Sequence, residues 1–518
     1  MTSFLQRFAS QILGVLSGFD RIRLRGTILQ LANVAGLSGW LDAKGILLKD
    51  FLREADLLTQ QLRAALETKA AAAGRPVEYL QGYTNKEALV QQRRQRDGAT
   101  PGGLVCAFST LENCTSYDIH RNAETRAIQL RRRPRKCLHY YFYFDDGRFG
   151  LSQVRLQTWF PFNTNVVLNG REWLARQLDE KGIGYQRRDN CFTWIEDFAR
   201  AQRLADRQPR IHWGVEMDRL LRRVLPSRRV WLPDESYYWT VEQSEWATDL
   251  AFRNADDLAE LYPQLIHGGI ETFRSEDVLR FLGQYVTPQG RVPANRKDEI
   301  TSDLKHRPEG VRIKHRAGRN TIKLYDKQGS VLRVETTLNE VKGFKSYRPK
   351  ADDPEGPLDW RPMRKGVAEM SRRAELSQAS NDRYLTALGG LPADTPLRRA
   401  SAKLCCAVIV DGRRYRGLNP LAPDDARSLE AISRGEWLVA GFRNRDIRQA
   451  LHGDESDDSK RRRQAAAVTR LLGLLRAHGL IKKIPRTHRY LMTAEGTSVI
   501  PALLAANNAT LQQLTSAA

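Results

Sequence analysis

Apolar and polar positions alternate most regularly between Gly310 and Asn339. Val311 and Ile313 alternate with Arg312 and Lys314. Ile322 and Leu324 alternate with Lys323 and Tyr325. Val331, Leu332 and Val334 then lead into Glu335, Thr336 and Thr337. A period of two with β-branched side chains predicts three strands, joined by turns at Ala317-Gly318 and at Lys327-Gln328-Gly329-Ser330. At the start of the chain the period is helical instead: Phe4, Phe8, Ile12, Leu13 and Leu16 share one side of a helix over residues 2–17. Residues 18–26 alternate Ile and Leu with Arg, with Asp20 at the start of a short strand. Residues 28–72 predict two or three further helices.

A strand-rich stretch follows. Short apolar runs at 77–80, 104–108, 116–120, 125–130, 150–160 and 165–168 predict strands, with a basic helix at 85–96 and an amphipathic helix from Arg171 to Lys181. Arg131 to Lys136 is a basic run, followed by the aromatic run Cys137 to Phe144. Such a pair has two readings: cations that track phosphates beside rings that stack on bases, or a core strand whose rings fill an interior. Residues 196–285 predict helices, 350–359 a linker rich in Pro, Asp and Gly, and 364–388 a long polar helix carrying Tyr384. The expected organisation is a helical region at 1–75, an α+β sheet domain at 76–200, a helical region at 201–305, a β-hairpin core with a long helix at 306–390, a linker and strand at 391–423, and a C-terminal module at 424–518. The fold class is multidomain α+β with a mostly antiparallel sheet.

Length and charge sharpen this picture. A chain of 518 residues exceeds what one core supports. No apolar run approaches the roughly 18–20 residues of a membrane span, and no leader-like segment opens the chain, so a cytoplasmic protein without a membrane partner is expected. Six cysteines are too scattered for a disulfide framework, and Cys106, Cys114, Cys137 and His139 lack zinc-site spacing. The net charge of +23 and pI near 9.9 point to a polyanion, with DNA favoured over RNA.

The C-terminal residues are the most readable. Helices are predicted from Asp424 to Arg434, from Asn444 to Leu451 and from Lys460 to His478. The last has Val468, Leu471, Leu472 and Leu475 on one face and Arg461, Arg462, Arg463, Arg470 and Arg476 on the other. Gly479 ends it, and 480–484 with 488–492 form a hairpin carrying Lys482, Lys483, Arg486 and Arg489. This order resembles the winged helix-turn-helix fold. The resemblance implies a recognition helix near 460–478 in the major groove and a wing near 482–489 on phosphate or minor groove. Phe273 to Gly283 echoes Phe442 to Leu451: Phe-Arg, an N-capping Ser or Asn, then Asp, a β-branched residue and Leu.

Two readings of 310–339 stay open. Lys-Leu-Tyr-Asp-Lys (323–327) followed by Leu-Arg-Val-Glu-Thr (332–336) resembles the strands of the replication initiation factor family, which starts rolling-circle replication of plasmids and phages. The resemblance implies magnesium or manganese held by Asp326 and Glu335, with Lys327 and Arg333 near phosphate; read from the residues themselves, His315 in the same stretch is a further candidate ligand. The resemblance also implies a nicking tyrosine. The segment 312–320 has none, which leaves Tyr384. Arg312, Lys314, Arg319 and Lys323 complete a cationic surface. On the other reading this region only binds: helices at 277–283 and 297–307 with a wing at 312–325 make a second winged helix. A carboxylate trio of Asp20, Glu335 and Asp411 is a further metal-site candidate. The expectation is a nucleic-acid-binding protein of bacterial mobile-element or plasmid type, with metal-dependent nicking open. The alternative is a non-catalytic transcription regulator or an RNA-binding ribonucleoprotein component.

Overall fold

The computed structural model describes residues 2–98, 102–225, 232, 236–307, 310–350, 352–390, 401, 404–434, 436–437, 441–485 and 487–509. The chain is mixed α+β, 40% helical and 31% strand. It divides into two units. The first holds residues 16–249 and 337–377, the second 1–15, 250–336 and 378–518. Among the described residues no helix is long and apolar enough to cross a membrane.

The first unit is built on a mixed sheet. Its strands run in the order Tyr237–Phe252, Ile12–Ile28, Thr164–Asn169, Gly150–Gln157, Ile128–Asp146, Leu104–Arg121, Glu78–Tyr79. Neighbours from Ile12–Ile28 to Leu104–Arg121 pair antiparallel, and Glu78–Tyr79 adds in parallel. Alternation fixes the register. Ile22 and Leu24 are buried opposite Leu168 and Val166, while Arg21, Arg23 and Arg25 turn away. Helices Val34–Ala43 and Phe51–Ala72 cover one face of the sheet. Phe51, Ala55, Leu62, Leu66 and Ala70 recur at helical spacing and join one core with Tyr140, Phe142 and Phe144. Tyr141 and Tyr143 pack on the other face, with Val90 and Phe108. The aromatic run is therefore interior strand on both sides, and its rings are not available to stack on bases. Helix Gly170–Glu180 is anchored at its start, where fully buried Arg171 donates to the Ala247 carbonyl and sits 3.1 Å from Asp249.

The second unit contains the strands Ile300–Arg307, Gly310–Ala317, Asn320–Lys327 and Val331–Leu338 in that sheet order. The three strands expected over 310–339 fall in place, with turns that adopt positive φ at Gly318, Gln328 and Gly329. Helices Ala255–Glu271 and Ser275–Phe281 share a core with the sheet residues Ile313, Ile322 and Leu324. The C-terminal residues form helices Pro423–Ser433, Asn444–His452 and Asp458–Ala477. The hairpin Ile481–Lys483/Tyr490–Met492 and helix Ala494–Asn508 follow.

Three expectations are corrected. The helix at 2–17 is only Ser3–Arg7, because Ile12 onward is a 17-residue strand. Gly14 and Gly18 weaken a helix there, and pairing with neighbouring strands decides the matter. The helical region 201–305 includes the strand Tyr237–Phe252, whose Tyr and Trp content suits a sheet. The helix expected at 297–307 is the strand Ile300–Arg307, in register with Gly310–Ala317. That removes the second winged helix, since its recognition element is a strand.

Candidate functional site

In the first unit Asp20 lies inside a long strand, not at the strand start expected for it. Asp20 is buried, and Asn190 donates its Nδ2 to both carboxylate oxygens at 2.7 and 2.8 Å. Asn190 follows the turn residue Asp189, which has φ of 55° and joins the strands Tyr185–Arg188 and Cys191–Ile195. Glu245, from Tyr237–Phe252, brings a carboxylate oxygen within 4.8 Å of Asp20. Both acids line a pocket of about 370 Å³ with Arg21, Tyr143, Ser152 and Asn190. The Tyr143 hydroxyl accepts from Gln153 Nε2 at 2.7 Å, and burial raises its pKa well above the ordinary phenol value. Two carboxylates beside hydroxyl and amide groups are a donor set for a hard divalent cation.

The residues expected to hold a metal in the second unit are not brought together. Among the described residues His315 and Asp326 belong to no cluster of metal-ligand atoms within 4.8 Å. His315 lies opposite Ile322, so Asp326 is four residues further along its strand, roughly 13 Å away. Both ring nitrogens of His315 are engaged, with Ser302 Oγ at 2.7 Å and with Tyr384 Oη at 2.9 Å. Asp326 accepts from Gly329 N–H in the turn. Glu335 is buried and bonded to Lys323 and to the Tyr325 hydroxyl at 2.7 Å. Burial pushes its carboxyl up, but Lys323 and Tyr325 outweigh this and hold it below the usual range.

Tyr384 is a core residue, not an exposed nucleophile. It is fully buried against Phe273 and Phe281, and burial raises its pKa. Its hydroxyl meets His315 and has no opening toward a phosphodiester. Arg333 is also fully buried, so it is no surface contact for phosphate. Lys323 is committed to Glu335. Arg319 is exposed, while Arg312, Lys314 and Lys327 are half-buried. Asp411 stands exposed in the turn between Val408–Val410 and Arg413–Tyr415.

In the C-terminal residues the expected segregation of faces is present. Val468, Leu472 and Leu475 are buried with Leu429, Ile447 and Ile481, while Arg461, Arg462, Arg463, Arg470 and Arg476 are exposed. Lys482 and Lys483 are exposed and Arg489 is half-buried, and Arg486 lies outside the described residues. Asp457 caps the basic helix through Ser459 N–H and Lys460 N–H, and Gly479, with φ of 72°, ends it. Asn444 is not the N-cap expected. Its side chain donates to the Ala465 carbonyl and to Thr469, tying two helices together. The echo between 273–283 and 442–451 has a different basis. Asp277 and Asp446 each accept from the backbone N–H of the Arg three residues earlier.

The basic run Arg131 to Lys136 forms a further cationic surface. Residues 128–136 continue in register with 113–121 beyond the end of the Gly150–Gln157 strand. This two-stranded ribbon exposes Arg131, Arg132, Arg133, Arg135 and Lys136, and buries Tyr117 and Leu130. No family model, curated protein or solved structure matches the chain.

Proposed function

We propose that the chain binds duplex DNA through residues 423–508, acting as a winged helix with Asp458–Ala477 as its recognition helix and the Ile481–Lys483/Tyr490–Met492 hairpin as its wing. The observation that carries this reading is the division of one helix into a buried leucine face and an exposed arginine face, next to a lysine-bearing hairpin. Arginines reach both phosphates and guanine edges, and lysines on a wing add backbone contacts. The test is an electrophoretic shift with purified protein stripped of nucleic acid. Arg462→Glu with Arg470→Glu should abolish duplex binding and leave the thermal midpoint unchanged, because both side chains are exposed. Undiminished binding removes this helix from the contact surface.

The pair Asp20–Glu245 favours a second reading, metal-dependent strand cleavage, with the cation at that pair rather than at His315 and Asp326. Magnesium or manganese is typically held by one or two carboxylates together with substrate phosphate. When bound it would polarise the phosphate and lower the pKa of a water nucleophile. Asp20 and Glu245 would hold the cation, and Asn190 fixes the orientation of Asp20. Supercoiled plasmid incubated with either cation should be nicked by the parent chain and left intact by Asp20→Asn with Glu245→Gln. Equal nicking by the double variant would place the chemistry elsewhere. The plasmid- or mobile-element setting rests on the resemblance of 323–336 alone.

A further inference from the structure

The ribbon carries two thiols that neither reading uses. Cys114 lies opposite Arg135 and Cys137 opposite Glu112, so the cysteines are diagonal neighbours across antiparallel strands. Their Sγ atoms are 3.0 Å apart. Ordinary non-bonded contact keeps heavy atoms roughly 3.5–4.0 Å apart, and a disulfide bond is about 2.05 Å long. Two thiolates on one tetrahedral zinc, each about 2.3 Å from the metal, stand about 3.8 Å apart. The observed separation is therefore on the disulfide side of zinc geometry. His139 Nδ1 is 3.9 Å from Cys137 Sγ and bonds the Cys137 carbonyl at 3.2 Å, so that nitrogen is engaged with backbone.

The two thiols are not equivalent. Cys114 is partly exposed and Cys137 is buried. The hydrogen bond from Cys137 holds the Cys114 thiol below its ordinary value against the effect of burial, with help from Arg135 and Arg155. The same bond, together with burial, pushes Cys137 up. An oxidant thus meets Cys114 first, and that sulfur has the greater thiolate character.

We propose that Cys114 and Cys137 are a redox modification site that closes to a reversible disulfide, with a small disulfide of the glutathione type as oxidant. The Cys114 thiolate attacks one oxidant sulfur. The oxidant's S–S bond breaks, and one small thiol leaves carrying the proton that Cys114 gave up. The Cys137 sulfur then attacks the Cys114 sulfur of the mixed disulfide, and the second small thiol leaves with the Cys137 proton. The chain loses two protons and two electrons, and the oxidant gains them. The new bond ties the two strands together where the arginine-bearing ribbon begins.

The experiment uses the full chain with Cys405→Ser and Cys406→Ser, which removes the exposed neighbouring cysteines. The protein is incubated with glutathione disulfide, alkylated after unfolding, digested without reductant and mapped by mass spectrometry. The expected result is a peptide pair linked through Cys114 and Cys137, an intact chain lighter by two hydrogens, and reversal of both by dithiothreitol. A stable glutathione adduct on Cys114 with Cys137 alkylated would overturn the proposal, as would a link to Cys106 or Cys191. Stoichiometric zinc, bound by the untreated chain and lost in Cys114→Ser, would also overturn it.

Discussion

His315 shows how an apparent metal ligand becomes a structural residue. It lies in a strand of alternating pattern, next to cations and within reach of two acids in the sequence. The fold places it in the core, with one nitrogen on Ser302 and the other on Tyr384. Burial pushes its pKa down to about 4. In the unfolded chain a histidine titrates near pH ~6.5. Between these values the unfolded chain binds a proton that the folded chain does not, so stability rises with pH. It is complete above pH ~6.5 and falls by about 1.4 kcal/mol for each unit that pH drops toward 4. His139 is also pushed down to about 4 by burial and acts in the same direction. Urea midpoints should therefore fall from pH 7.5 to pH 5, and His315→Asn should remove about half of that slope. A variant with the parent's slope would show that His315 is already charged in the folded state.

At the scale of elements, the sequence disclosed what local period controls and concealed what distant pairing controls. The strands over 310–339 were legible because Val311, Ile313, Ile322 and Leu324 alternate with charges. The basic helix was legible because its leucines and arginines keep helical spacing. The strand Ile12–Ile28 was legible only over 18–26, since Phe4, Phe8, Ile12 and Leu16 fit a helical period equally well. The pocket was hidden for the same reason: Asn190 reaches Asp20 from 170 residues away, and nothing local marks the pair. The ribbon lies between these cases. Its arginines stood out, but only the register past Gln157 shows them projecting from one strand of a two-stranded ribbon. Phosphate contacts made by such a ribbon position the protein without reading bases. Arg131→Glu with Arg133→Glu should therefore weaken binding by the same factor on unrelated duplexes, and should lower the slope of log affinity against log salt by about 2. Among the described residues the ion pair disturbed, Arg133–Asp118 at 3.5 Å, is exposed and adds little to stability, so the thermal midpoint should stay put. A loss confined to one preferred sequence would make the ribbon a base reader.

For the whole molecule, the excess of cations decides how binding should respond to its medium. The net charge of +23 is drawn from surfaces in both units: the ribbon in one, the arginine face of Asp458–Ala477 in the other. Other cations are offset by acids, as in Arg219 with Asp146 and Arg416 with Asp425. Free cations that meet phosphates release condensed counterions, and that release makes affinity depend on salt. If these surfaces supply 6–10 phosphate contacts, affinity for a random-sequence duplex should fall by about 10³–10⁵ between 50 and 200 mM salt. Chelating divalent cations should leave this binding in place, since arginine–phosphate contacts need no metal, while abolishing plasmid nicking at the carboxylate pair. Titrating a fluorescent duplex at four salt concentrations, with and without EDTA, separates the two. A shallow slope would mean that base or shape contacts dominate over charge. Binding lost to EDTA at constant ionic strength would mean that the metal bridges protein to phosphate, which would make Asp20 and Glu245 part of the binding surface itself.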